Sequence, residues 1–268
     1  MHTAQELNSY AELAQKLAVK GGTQAIKAFR SHHFSETQKS DHSFATSADT
    51  QIEAQLREQI RSAFPSHSIW GEEAGSEGLA DGLAWNIDPI DGTHNFMFGV
   101  PVFGTMISLT HGTDVLVMAA YDPNTKQLFS ATKGAGATAN GSPVSVSTNP
   151  QSSLEQQVLL VEWGKNQPAQ VAAKNYLFTQ SEHFRSYRKY GCILPAFACT
   201  ASNHFGALIY FGMETREISG PALFMSEAGL HITDLQGAEW NLQNGSTMVA
   251  AHPVHHGELL KTLEASQL

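Results

Sequence analysis

Cysteine is scarce in this chain: Cys192 and Cys199 are the only two among 268 residues. They show neither Cys-x-x-Cys nor metal-ligand spacing, which excludes a disulfide framework and a thiolate metal site and leaves two buried, reduced thiols. Basic side chains are also in deficit, with 16 Lys and Arg against 25 Asp and Glu. That balance argues against a general nucleic-acid or anionic-membrane surface. It leaves a small anionic substrate open, because bound cations reverse the local sign. No apolar run is long enough to span a bilayer. Met1-His2-Thr3-Ala4-Gln5-Glu6 lacks the basic start and apolar stretch of a signal peptide, so a cytoplasmic protein is expected. No low-complexity tract or repeat is present. Of the 13 histidines, the pairs His32-His33 and His255-His256 lack ligand-like partners at fixed offsets and read as surface residues.

No Lys or Arg lies between Gly71 and Asn124, and within that base-free stretch stands Asp88-Pro89-Ile90-Asp91-Gly92-Thr93. Trp85-Asn86-Ile87 leads into it as a short strand. Pro89 cannot donate to a sheet ladder, so the strand is expected to end at Asp88. Gly92 permits a tight turn, and Thr93-His94-Asn95-Phe96 can open a helix. Two carboxylates about 5 Å apart repel by roughly 3 kcal/mol at an effective dielectric of 20. A shared proton, a basic side chain or a metal ion must offset this, and Glu72-Glu73 adds further negative charge. An oxygen-rich acidic cluster suits a hard cation such as Mg2+. The N–H groups of Gly92 and Thr93 would suit a phosphate oxygen. The same residues also describe an ordinary Asx turn followed by an N-cap, and two acids alone do not decide between these readings.

Leu7, Tyr10, Ala14, Leu17 and Ala18 recur at helical spacing. Gly21-Gly22 weakens or interrupts that helix before Ala25, Ile26 and Phe29 resume the stripe. Ile52, Leu56, Ile60 and Phe64 mark a second helix, entered near Ser47 and closed before Pro65. Asp49 then sits in its first turn, where the helix dipole favours an ionised carboxylate. Strand-like runs follow at 68–70, 85–87, 105–110, 115–121 and 127–132, separated by turn signals such as His111-Gly112-Thr113 and Asp122-Pro123-Asn124. Asn140-Gly141 is a further hairpin signal. The polar segment Ser147–Ser153 suggests an internal boundary, with a buried strand at 158–161 and part of a helix at 222–227 beyond it. Together these elements point to a layered α+β protein rather than a bundle.

Trp85 through Phe96 resembles the signature of the inositol monophosphatase family, within the wider lithium-sensitive, metal-dependent phosphatase superfamily. Ala45-Thr46-Ser47-Ala48-Asp49 is similar to the family's segment ending in a water-activating Asp. Pro65-Ser66-His67-Ser68-Ile69-Trp70-Gly71-Glu72-Glu73 is similar to its first metal-ligand segment, and Ser226-Glu227-Ala228-Gly229 to the close of its C-terminal helix. The resemblance spans nearly the whole chain and is weakest between Gln151 and Gly220. It implies a layered α/β/α/β/α sandwich of the inositol monophosphatase and fructose-1,6-bisphosphatase type. An N-terminal half, 1–147, would carry most metal ligands, and a C-terminal half, 148–268, would close the site within one compact unit.

By the same resemblance Mg2+ is the cofactor, held by Glu72, Asp88 and the Ile90 carbonyl, with Asp88 bridging to a second ion that Asp91 also holds. Thr93, with Asp49, would orient and deprotonate the attacking water that the metal and its ligand Glu72 activate. Gly92 and Thr93 N–H groups would hold the phosphate. Glu73 and Lys39 would be accessory. The family usually closes the second site with Trp-Asp at a helix start. Here that place reads Arg216-Glu217, which predicts a second ion held weakly or only with substrate; Arg216 would pair with Glu217 or reach an anionic substrate. Members acting on inositol phosphates present acids shortly before this point, whereas Gly206–Gly212 contains none and only Glu214 is near. The implied activity is hydrolysis of a small phosphomonoester, by a homodimer with no nucleic-acid or membrane partner. A 3′-nucleotide (adenosine bisphosphate) or histidinol-phosphate phosphatase is the alternative. A weakly active homologue that binds a ligand or regulates a partner is the alternative of another class.

Overall fold

The structure, a computed structural model, describes residues 2–32, 34–38, 44–78, 82–147, 153–202, 205–243 and 245–266. Lys39, His33 and most of the expected boundary segment lie outside these residues. Among those described, α1 (Ala4–Ser31) is followed by the strands β1 (Glu36–Gln38) and β2 (Phe44–Thr46) and by α2 (Ser47–Ala63). Eight strands then build one sheet: β3 (Ser68–Gly71), β4 (Gly75–Glu77), β5 (Leu83–Asp91), β6 (Gly104–His111), β7 (Asp114–Asp122), β8 (Gln127–Thr132), β9 (Gly136–Ala139) and β10 (Ser142–Val144). The short α3 (Thr93–Met97) follows β5. The remainder runs β11 (Val158–Trp163), α4 (Gln167–Gln180), β12 (Ser186–Arg188), α5 (Ile193–Ala201), β13 (Ala207–Phe211), α6 (Thr215–Glu227), β14 (His231–Thr233), β15 (Met248–Ala251) and α7 (Pro253–Ala265). The eight-stranded sheet is ordered β10-β9-β8-β7-β6-β5-β3-β4, and the five-stranded sheet β12-β11-β13-β15-β14.

Side-chain alternation along the strands sorts the apolar residues into three cores. In β6 and β7, Ile107, Val117 and Ala119 face α1 and α2. Met106 and Met118, one residue out of step, face α5 and α6. In the second sheet Leu160, Leu208 and Tyr210 join that same middle core, while Leu159, Val161 and Ile209 meet α4 and α7 in a third. The layers therefore run α/β/α/β/α. A division at 147/148 remains a proposal: all eight strands of the first sheet precede it and all five of the second follow it.

Several expected elements hold. The α2 helix opens on a Thr46–Asp49 capping box and ends at Ala63. Asn140 and Gly141 both have positive φ in the turn joining β9 and β10. Three expectations are corrected. The glycine pair does not interrupt α1, which is continuous through it. Instead it lets α1 lie close on the sheet, because a Cβ on Gly21 would sit 2.7 Å from Thr105 Cγ2 and one on Gly22 would sit 2.7 Å from Tyr121 Cδ1. The strand carrying Trp85 does not stop at Asp88 but reaches Asp91, with a register shift between the two. Pro89 falls inside that bulge, so the ladder makes no use of its missing N–H. Its carbonyl accepts from buried Thr105 Oγ1 at 2.7 Å. Finally, His255 and His256 are buried, not surface residues, because the face of α7 that carries Leu259 and Leu263 also turns them inward. His256 Nε2 meets Thr233 Oγ1 at 3.0 Å.

Gly21→Ala is expected to destabilise the protein by about 1–3 kcal/mol through overpacking. Helix propensity alone predicts a gain of about 1 kcal/mol. Urea unfolding midpoints decide between the two, and a stabilised variant would refute the close-approach reading.

Candidate active site

The parallel pairing of β3 with β5 matches Gly71 to Ile87, and the next amide, Glu72 N, donates to the Ile87 carbonyl at 3.2 Å. Glu72 thus leaves β3 beside Asp88 in β5. The bulge turns Asp88 and Asp91 into the same place, and both are buried, 6% and 5% exposed. Asp49 arrives from the first turn of α2 and Glu217 from the first turn of α6. A cleft of about 930 Å3 opens over this floor, lined by Glu72, Asp88, Ile90, Asp91, Gly92, Thr93, Glu214 and Glu217 from the expected set. Arg216 lines a separate water-sized pocket of about 10 Å3 behind Asp88 and Glu217.

Burial raises Asp49, Asp88, Asp91 and Glu217 alike. It pushes the Asp49 carboxyl up to about 7, so desolvation outweighs the hydrogen bonds from Thr46. It also carries Glu217 up to about 8, with repulsion from Glu72 adding to it and Lys165 opposing. Asp88 lies well above the carboxylate range from burial and from the charges of Glu72, Asp91, Glu217 and Asp49. Asp91 is raised by burial and restrained by its donors.

These donors give Asp91 a second role. Its Oδ1 accepts from Ile193 N at 2.8 Å, and its Oδ2 from Leu194 N at 2.6 Å and Cys192 Sγ at 3.0 Å. A carboxylate on β5 therefore caps α5 from across the chain. The Thr93 hydroxyl donates to the Ile90 carbonyl at 3.0 Å. Asp49 Oδ2 accepts from Thr46 N and Oγ1 at 2.8 and 2.6 Å. No hydrogen bond joins Thr93 to Asp49 among the described residues. Arg216 neither pairs with Glu217 nor enters the cleft. Its Nη1 donates to Ser76 Oγ at 3.2 Å and its guanidinium lies 5.6 Å over the Trp70 ring, tying the start of α6 to the β3–β4 hairpin.

Two buried carboxylate oxygens, Asp88 Oδ1 and Asp49 Oδ1, lack a hydrogen-bond partner. Unpaired acceptors inside a group of mutually repelling carboxylates fit a hard cation. Among the described residues, no three acidic, His or Cys side chains are drawn together tightly enough to ligate one ion as they stand. Glu72 is turned towards Lys165 at 3.3 Å and Asp91 towards α5, so ligation requires these side chains to close on Asp88.

Four residues that shape the site were not anticipated. Glu53, 1% exposed, accepts from Arg57 Nε at 2.8 Å, Glu73 N at 2.7 Å and Ala74 N at 3.0 Å, holding the turn that presents Glu72. Its carboxylate occupies the space that a Cβ on Gly71 would take. Glu162, Lys165 and Lys189 line the cleft from the second half. A lone acid inside the apolar run Val158–Trp163 was the one local signal available for them. Glu53→Ala is expected to cost about 3–5 kcal/mol, because it removes the buried partner of Arg57 Nε, leaving that guanidinium only Glu77 and the Gly75 carbonyl, and frees the turn. Chemical denaturation would measure this, and a loss below about 1 kcal/mol would contradict it.

The layered α+β fold, with two sheets meeting at an acidic cleft, defines the structural class of the chain. Within that class the chain belongs to the inositol monophosphatase family, whose model matches residues 6–268. A Haemophilus influenzae protein named Nus factor SuhB is 30% identical over 250 residues, 91% of this chain and 92% of that one. An Aquifex aeolicus fructose-1,6-bisphosphatase/inositol-1-monophosphatase is 28% identical over 229 residues, 84% of this chain and 85% of that one. The structure of extragenic suppressor protein suhB from Bartonella henselae superposes with a TM-score of 0.87 at 21% identity, covering 96% and 98% of the two chains. No helix among the described residues is long and apolar enough to cross a membrane.

Proposed function

We propose that the chain is a Mg2+-dependent phosphatase of small phosphomonoesters. The observation that carries this reading is the buried, unpartnered Asp88 Oδ1 at the centre of a repelling carboxylate group on the cleft floor. Glu72, Asp88, Asp91, Glu217 and the Ile90 carbonyl would hold the metal. The metal, when bound, supplies charge neutralisation for the phosphate and lowers the pKa of the attacking water. The chain's own contribution is positioning, which is most of what phosphoryl transfer requires. Gly92 and Thr93 N–H groups, where the backbone turns at a positive φ of 87° into α3, would hold phosphate oxygens. Asp49, raised to about 7 in its buried setting, suits a proton acceptor for the water. For Thr93 to relay that proton its hydroxyl must leave the Ile90 carbonyl. Glu73 and Glu214 would be accessory.

A homodimer and a cytoplasmic location belong to the same proposal, and the absence of a nucleic-acid partner is proposed on the acidic balance of 16 bases to 25 acids alone. Phosphate release with Mg2+ across inositol, sugar, histidinol and 3′-nucleotide phosphates tests the reading, and no release from any of them overturns it. A second reading, a binding or regulatory homologue with weak turnover, is favoured by relatives named Nus factor and by glutamate at position 217. Tight divalent-metal binding without turnover on that panel would favour it.

A further inference from the structure

The cleft wall contributed by the second half carries Lys165 and Lys189, two of only 16 basic residues in the chain. Lys189 is built in. Its Nζ lies 3.0 Å from Glu162 Oε2 and 4.6 Å over the Trp163 ring. Glu162, 2% exposed, is itself fixed by Tyr190 N at 2.5 Å and Gly191 N at 3.1 Å. An ammonium has three N–H donors and Glu162 engages one face of it. The side chain keeps 30% exposure, on the cleft.

Lys165 is half exposed and lies 3.3 Å from Glu72 Oε1, a proposed metal ligand. A divalent cation on Glu72 would repel that ammonium and compete with it for the carboxylate, which would leave Lys165 able to meet a substrate anion. The segment that would offer acids to a polyol offers none: Tyr210 is fully buried, with its hydroxyl on the Ile193 carbonyl at 3.4 Å. Glu214, exposed at the start of α6, and Glu217 in its first turn are the further acids that line the cleft with these lysines.

We propose that Lys189 and Lys165 form a second anion subsite, so that the preferred substrate is a phosphomonoester whose leaving group bears a further negative group. This rests on the phosphatase reading above. The test uses the full chain with Mg2+ and two pairs of esters. 3-Phosphoglycerate against glycerol 3-phosphate probes a carboxylate, and fructose 1,6-bisphosphate against fructose 1-phosphate probes a second phosphate. In at least one pair the more anionic member is expected to show about tenfold or higher kcat/KM, mainly through KM, as a charge-assisted contact implies. The ratio should fall at least about fivefold in Lys189→Met and in Lys165→Met, and Lys189→Arg should retain most of it. Lys165→Met keeps the test open if loss of the Glu162 partner impairs folding.

Ratios near one in both pairs, or ratios unchanged in both Met variants, overturn the subsite while leaving the phosphatase reading in place. If no ester releases phosphate, calorimetry of the same pairs on the Mg2+-loaded protein decides. Tighter binding of the more anionic member, lost in Lys189→Met, upholds the subsite and overturns only the phosphatase reading. Equal binding overturns the subsite too.

Discussion

Asp88→Asn is expected to lower phosphate release by at least about 10³-fold, a loss of about 4 kcal/mol in transition-state stabilisation, while making the metal-free protein more stable at pH 8. The two effects have one cause. Asp88 is buried with an unpartnered oxygen, and Glu72, Asp91, Glu217 and Asp49 all oppose its ionisation. Asparagine keeps the shape and removes the charge, so the repulsion is relieved by about 1–3 kcal/mol, the scale of partly screened charge pairs. For a chain of this length each kcal/mol is worth roughly 2–4 °C in melting temperature. The same substitution removes the ligand that would bridge two cations. Initial rates and thermal melts of purified wild type and variant, with and without Mg2+, check both halves. Turnover within tenfold of wild type, or a lower melting temperature without metal, would contradict the assignment.

The second large effect is a reversal of pH dependence by metal. Burial raises Asp49 to about 7 and Glu217 to about 8, from 3.8 and 4.5. Between about pH 4 and pH 8 the folded state therefore keeps protons that the unfolded state has released. Stability falls as pH rises wherever the folded state binds more protons. Below about pH 4 both states are protonated and the contribution is flat. Metal-free protein should lose about 2–5 kcal/mol between pH 5 and pH 8, since each proton retained across one pH unit is worth about 1.4 kcal/mol before the carboxylates' mutual relief is counted. A divalent cation binds the ionised form and competes with protons, so its stabilisation grows with pH. At 100 times its dissociation constant it adds about 2.7 kcal/mol. Differential scanning calorimetry from pH 5 to pH 8, with EDTA or saturating Mg2+, would show a falling series in the first case and a flat or rising one in the second. A flat EDTA series, or no Mg2+ effect at pH 8, would remove the electrostatic basis of the proposed site.

Much of the architecture was legible because it is local. The helical recurrence in 52–64 and the strand-like runs of 105–132, set apart by turn residues, each depend only on residues close in the chain. Local rules misled where tertiary contact overrode propensity. Gly21-Gly22 looked like a break but serves the close approach of α1 to Thr105 and Tyr121. Pro89 looked like a strand end but sits in a bulge. His255-His256 looked like a polar surface pair but faces the interior.

The candidate site divides in the same way. By itself the sequence determined the family of the chain and the presence of two acids in Asp88–Thr93, because that motif is a run of consecutive residues. Only the tertiary structure decided that Asp91 caps α5, that Arg216 lies on Trp70 instead of beside Glu217, and that Lys165 and Lys189 share the cleft with Glu72. Those contacts join residues 93 to 146 positions apart. Chain spacing carries no record of such pairings, since they are set by how two sheets pack across α5 and α6.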